Sequence, residues 1–87
     1  MNDNGPFVFP CSFPIKVFGQ NDDTFRNHAW QIVENHFGTL NAEQVAENAS
    51  RNGKFVSITF TVDAQDRASL DNVYQDLSDD PLILMAL

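Results

Sequence analysis

The sequence predicts a two-layered α+β domain in which two helices cover one face of a four-stranded antiparallel sheet. Apolar residues recur at helical spacing in two segments, residues 21–38 and 63–78. Between these segments stands a strictly alternating run, KFVSITFTV at 54–62, and shorter apolar runs lie near both ends of the chain. The elements therefore follow the order β-α-β-β-α-β, which is the ferredoxin-like arrangement.

The first strand is predicted over residues 13–18, after an extended lead-in that contains Pro10. Apolar residues alternate with others along it, which is the two-residue period of a half-buried strand: Phe13, Ile15 and Val17. Proline has no N–H to donate to a sheet, so Pro14 is expected at the start of the strand. Gly19 is expected to end it.

The first helix follows, with a stripe of residues spaced for one face: Phe25, Ala29, Ile32, Val33 and His36. Asn21 or Asp22 is placed to accept hydrogen bonds from free N–H groups at its start. Gly38 suits the left-handed position just past its end.

The middle of the chain is predicted to be a hairpin. Residues 42–49 are polar and fit an edge strand, and Asn52-Gly53 fits the turn that follows. The third strand then has two faces, one apolar and one polar: Val56, Ile58, Phe60 and Val62 against Ser57, Thr59 and Thr61.

The second helix and a final strand complete the order. The helix has an apolar stripe and Asp63 as its expected N-cap; the stripe is Leu70, Val73, Tyr74 and Leu77. Pro81 opens the apolar run LILMAL at 82–87, which we interpret as the last strand. In this topology strands one and three are central, and strands two and four are edges.

Length and charge restrict the class of protein. Eighty-seven residues predict one domain, here 9–87, preceded by a flexible tail at 1–8. The single Cys11 and the absence of a signal-peptide pattern lead us to expect a cytoplasmic protein. The net charge of −7 disfavours nucleic acid and anionic membranes as partners, and the third strand presents Ser and Thr outward where an RNA-binding sheet would present aromatics.

Two stretches resemble the YbeD-like family of small bacterial proteins. FPCSFPIKVFGQ at 9–20 matches the family's F-P…F-x-x-K-V-x-G lead-in, and GKFVSIT at 53–59 matches its G-x-[FY]-x-S-[IV]-[ST] strand. Met85 lies in the final apolar run, as in the family. The resemblance implies a fold similar to ACT regulatory domains, and the family's lipoate-regulatory label implies no established reaction or site residues. The chain departs from the family at Leu84, where a polar or basic residue is expected.

Few residues offer chemistry, so we expect no enzyme, no catalytic residues, no cofactor and no metal site. Cys11 has no base near it in the sequence, and a half-buried thiol is its ordinary role. His28 and His36 lie about 80° apart around a helix, unlike the i, i+4 pair that holds a metal. The acidic pairs at 22–23 and 79–80 fit capping and solvated-loop positions.

The sheet face turned away from the helices, which we call the open face, is the candidate binding surface. Its candidate residues are Lys16, Phe18, Ser57, Thr59 and Leu84. The last strand turns one of two sets outward, and both leave apolar groups uncovered: Leu82, Leu84 and Ala86, or Ile83, Met85 and Leu87. An N-terminal arm with Phe7 and Phe9, a second protein chain, or a small ligand could cover this face.

We therefore expect a non-enzymatic regulatory or protein-interaction module that works through the open face and the edge of strand four. Its partner would be another protein or a second copy, and Leu84→Lys is expected to abolish the association while the fold persists. The alternative is a small-molecule sensor resembling ACT domains. A third hypothesis, an enzyme using Cys11 and a histidine, requires the thiol to lie within hydrogen-bond reach of an imidazole.

Overall fold

A computed structural model describes residues 9–87, and the predicted tail at 1–8 lies outside the described residues. The elements are β1 (Cys11–Gln20), α1 (Asp23–Phe37), a 3-10 turn (Ala42–Gln44), β2 (Val45–Ala49), β3 (Phe55–Ala64), α2 (Arg67–Asp79) and β4 (Met85–Ala86). All three strand pairings are antiparallel, in the sheet order β2-β3-β1-β4. The predicted fold class is therefore confirmed, with strands one and three in the centre.

The core lies between the helices and one face of the sheet. Alternate residues of β1 and β3 are buried there, including Ile15, Val17 and Phe60, and each helix buries one stripe against them. The helical stripes are Phe25, Ala29 and Val33 in α1, and Leu70, Val73 and Leu77 in α2. Burial of each large apolar side chain contributes about 1.5–3 kcal/mol. Because both helices cover this face, the opposite, open face consists of the outward-pointing residues of the strands.

Strand β1 is longer than predicted, and Pro14 lies inside it rather than at its start. Pro14 is paired with Thr61 of β3. Lys16, two residues further along, donates its N–H to Leu87 on the opposite side of β1. The nitrogen of Pro14 therefore faces away from β3, on the side where β4 pairs only with Val17 and Phe18. No hydrogen bond to β3 is lost, which is why the strand tolerates the proline.

Two other boundaries differ from the prediction. The N-cap of α2 is Asp66, whose side chain accepts from the Ser69 N–H at 2.9 Å, and Asp63 instead belongs to β3. The predicted edge strand at 42–49 divides into a 3-10 turn and β2, because Gln44 folds back to accept the Asn41 N–H at 2.9 Å. Both boundaries are set by capping hydrogen bonds between residues three apart in the sequence. The spacing of apolar residues does not reveal such bonds.

The last strand is much shorter than the predicted run at 82–87. Asp80 organises a turn, since its carboxylate accepts the Leu82 N–H at 2.8 Å and its carbonyl accepts the Ile83 N–H at 3.1 Å. The chain reaches the edge of β1 only afterwards, so that β4 is Met85–Ala86.

Candidate functional site

The register of the sheet gathers four of the five predicted binding residues on the open face. Lys16 pairs with Thr59, and Phe18 pairs with Ser57. Residues paired directly across two strands share a face, so these side chains form a continuous surface at the centre of the sheet. Lys16 is exposed, and the other three are half-buried.

Leu84 is the exception, and its assignment to the open face is wrong. Phe18 pairs with Met85, and the neighbouring residue Ala86 pairs with inward-facing Val17. Met85 therefore takes the open-face position, whereas Leu84 lines a depression together with Phe25, the buried ring of α1. Alternation alone left both sets of the final run open, and neither faces outward as a whole: pairing with β1 turns Met85 and Leu87 outward, whereas Ile83 is buried in the core.

Apolar side chains concentrate on the open face where β1, β3 and β4 meet, and we call this group the apolar patch: Phe18, Phe55, Met85 and Leu87. The exposed fractions of the last three are 45%, 51% and 61%. Phe55 pairs with Gln20, which puts it diagonally across from Phe18 and within reach of its ring. Leu87 exchanges two backbone hydrogen bonds with Lys16, at 2.8 and 2.9 Å. The patch therefore borders the one lysine on this face.

Sequence reasoning missed three members of the patch as site residues. Phe55 was recognisable as the outward aromatic of the third strand, since it lies two residues before Ser57 and alternate residues of a strand share a face. Met85 and Leu87 required the register of β4, which its two residues obtain only from pairing with β1.

No element of the described residues 9–87 lies over the open face. Phe9, one half of the proposed aromatic arm, packs against the buried core, which is on the helix side of the sheet. Phe7, the other half, falls outside the described residues. A shallow depression of about 220 Å³ opens beside the patch between the rings of Phe18 and Phe55.

The edge strand β2 carries an inward-pointing charged residue, which disfavours the pairing of another strand with this edge. Glu47 pairs with buried Ile58 and so turns toward the helix side, where both its carboxylate oxygens lie 3.2 Å from Nε of Arg26. A charge pointing inward from an edge strand resists pairing with a foreign strand. The open face is therefore better suited to binding a partner than this edge is.

The two histidines hold the helices together. The His28 Nδ1 lies 2.9 Å from Asp80 Oδ2, and the His36 Nε2 lies 2.6 Å from Asp76 Oδ2. Acidic residues at the C-terminal end of α2 are unfavourable to the helix dipole, and two of them, Asp76 and Asp80, are hydrogen-bonded to imidazoles of α1. The hydrogen bond from His28, with the Leu82 N–H, lowers the pKa of Asp80 despite the opposing effect of its partial burial.

The remaining titratable groups form no recognisable reactive centre in the part of the chain that the structure describes. Half-buried Cys11 lines an open depression with Pro10, Ser12, Asp63 and Gln65, a lining that includes no imidazole. Within residues 9–87, no group of three or more His, Cys, Asp or Glu side chains is arranged to hold a metal ion. No helix of that range is long and apolar enough to cross a membrane.

The relatives of this chain share its small size. Residues 6–87 match a family described as "Protein of unknown function (DUF493)". The chain belongs to the DUF493 family. This DUF493 chain is 33% identical over 87 residues to a UPF0250 protein of Nitrosomonas europaea, and the match covers 100% of both. It is 37% identical over 81 residues to a UPF0250 protein of Chromobacterium violaceum, covering 93% of this chain and 91% of the relative. The resemblance to small YbeD-like bacterial proteins is thereby confirmed at the level of the family.

A solved structure supports the DUF493 fold. The solution structure of protein HP0495 from H. pylori superposes with a TM-score of 0.70 at 18% identity, covering 97% of this chain and 88% of that one. At this identity the comparison shows the shared fold alone.

Proposed function

We propose that this DUF493 protein is a non-enzymatic interaction module with a regulatory role, and that its partner protein binds the open face. The observation that carries the proposal is the apolar patch, in which Phe55, Met85 and Leu87 are each 45% or more exposed on one side of the sheet. Contiguous exposed apolar surface on a small domain is costly in water and is typical of interaction sites. A cytoplasmic location belongs to the same proposal and rests on the single Cys11.

The absence of catalysis is likewise part of the proposal. Both imidazoles in the described chain are engaged by carboxylates, His28 by Asp80 and His36 by Asp76. Activation of the Cys11 thiol would require one of them as a base within hydrogen-bond reach. The open face offers Lys16 among Ser, Thr and apolar side chains, which suits recognition better than proton transfer.

Two adjacent residues provide a matched test. Met85→Lys places a charge in the apolar patch, whereas Leu84→Lys places the same charge on an equally exposed residue that faces the helix side. We expect Met85→Lys to abolish capture of the partner from an extract of the source cells, and Leu84→Lys to leave it intact. The captured protein is then purified and titrated into labelled protein, where amide shifts should centre on Phe18, Phe55 and Met85.

Equal loss of binding in both variants, with both folds preserved, would contradict the assignment of the face. So would amide shifts confined to α1 and α2. Sedimentation of the wild-type protein over a wide concentration range tests the version in which the partner is a second copy.

The second candidate function is a small-molecule sensor, and the depression beside Phe18 and Phe55 is the observation in its favour. Its volume of about 220 Å³ is below the roughly 300–1,000 Å³ of pockets that bury a drug-sized ligand, so a protein surface fits it better. A metabolite that specifically shifts the amide signals of Phe18 and Thr59 in the absence of any protein partner would favour the sensor.

A further inference from the structure

Charge is divided between the two sides of this protein. Eleven of its twelve acidic residues fall within the described range, and eight of these lie on α1, α2 or the residues that cap them. Among residues 9–87 the strands present one acidic side chain on the open face, Asp63, which pairs with Ser12. Ser12 is four residues along β1 from Lys16, which lies beside Leu87, the nearest point of the patch, or about 13 Å at the usual strand rise. The net charge of −7 therefore does not describe the surroundings of the apolar patch.

Basic residues show the opposite distribution. Lys16 lies on the open face beside Leu87, and Arg51 and Lys54 lie in the turn that leads directly into Phe55. None of these three forms an ion pair with any residue between 9 and 87. Arg26, in α1, is engaged by Glu47 and by Asp23. Apart from Arg67 at the start of α2, the unpaired basic residues of the described chain are thus Lys16 on the open face and two residues of the turn before Phe55.

We infer that the partner of this face is an acidic, apolar protein segment, in which aliphatic or aromatic side chains cover the apolar patch and carboxylates approach Lys16. The inference rests on the proposed function, and it adds the chemistry of the partner. Complementary charge around an apolar centre speeds association and rejects partners of the wrong sign. A basic segment of the same shape would bring like charges together at Lys16.

The same distribution disfavours a second copy as the partner. In a two-fold dimer the same surface of both copies meets, so Lys16 and the basic turn of one copy would approach those of the other. Apart from Asp63 at the far end of the face, the acidic side chains on and around the helices lie away from such a contact. They could reach an open face only head to tail, and such contacts extend into filaments or rings.

Selection from a random peptide library separates this inference from the proposed function. The probe is a phage-displayed library of random peptides about a dozen residues long, selected against wild-type protein and, separately, against Lys16→Glu, Met85→Lys and Arg67→Glu. Arg67→Glu is the matched control because it makes the same charge change on the helix side. Peptides that bind wild type should combine apolar residues with Asp or Glu.

Lys16→Glu should weaken those peptides by roughly threefold to tenfold, the effect of turning one exposed attraction into a repulsion, and its own selected peptides should carry Lys or Arg. Arg67→Glu should leave their affinity unchanged. Peptides that need Met85 but show no acidic preference, and that bind Lys16→Glu as tightly as wild type, would show that the inferred partner chemistry is wrong. The assignment of the binding face would then still hold. If no selected peptide depends on Met85, the inference and the proposed use of this face are both overturned. If the wild type self-associates through this face, the acidic partner is wrong and the partner is a second copy.

Discussion

Gly19 lies in β1 directly against the ring of Phe25, the first buried residue of α1. A Cβ built at Gly19 would lie 2.6 Å from Cγ of Phe25 and closer still to two other ring carbons. The strand continues past it to Gln20, so this glycine does not end the strand as predicted; it admits the ring. The sequence marks a glycine here but carries no sign of which side chain needs the space.

Gly19→Ala is expected to destabilise the protein by about 1–3 kcal/mol, because the core must shift to accept one methyl group. Urea denaturation measures the free energy of unfolding. In a Phe25→Leu background the same change should cost less, since the smaller side chain vacates part of the contact. Equal costs in the two backgrounds would show that the ring of Phe25 is not what excludes a side chain at Gly19.

Asp66 caps α2 through two hydrogen bonds from Ser69, one from its N–H at 2.9 Å and one from its hydroxyl at 2.8 Å. These bonds lower the pKa of Asp66, because they favour the ionised carboxylate. Asp66→Ala should lower the thermal midpoint by several degrees. Asp63→Ala removes the same charge three residues earlier and should have little effect. Circular dichroism measures the thermal midpoint of each variant. A larger decrease for Asp63→Ala than for Asp66→Ala would show that Asp63 is the N-cap, as the sequence suggested.

At the scale of elements, periodicity predicted the order and type of both α-helices and all four strands of residues 9–87, but not the 3-10 turn before β2. It succeeded because buried stripes of α1 and α2 and the alternating face of β3 are local patterns. It failed where an element depends on a partner far along the chain. Pro14 is tolerated only because β4 leaves that part of β1 unpaired, and the two residues of β4 form a strand only through Val17 and Phe18.

The contact between α1 and α2 gives a prediction about acid. Because the folded pKa of Asp80 is lowered below the usual 3.8, its contribution to stability is complete above that value and is lost as the pH falls through the folded pKa. Asp80→Asn should therefore reduce the free energy of unfolding near neutral pH, by about 1 kcal/mol at most because the histidine of the pair is half exposed, and the difference from wild type should shrink toward pH 2.

Asp79→Asn is the control, since it removes a neighbouring charge whose carboxylate accepts a hydrogen bond from Gln75 on the same helix. Its difference from wild type should be smaller and change less with acid. Chemical denaturation at a series of pH values measures both. A constant difference for Asp80→Asn across the acid range would contradict the role assigned to the His28 contact.

At the scale of the whole molecule, the two faces of the sheet differ in what covers them and in composition. One face holds the core and the acidic helices, and the other presents an apolar patch beside Lys16 with basic residues at its rim. The open face and four of its residues could be predicted from alternation. The full patch could not, because Met85 and Leu87 reach it only through the pairing of the last strand with β1.

Photo-crosslinking in the source cells tests the central claim most directly. A photoreactive phenylalanine analogue is placed at Phe55 on the open face and, in a separate variant, at Asn72, an exposed position of α2. The account predicts discrete cross-linked products containing a second protein from position 55, and none from position 72. Products from position 72 alone, or cross-links from position 55 only to the chain's own first eight residues, would contradict it.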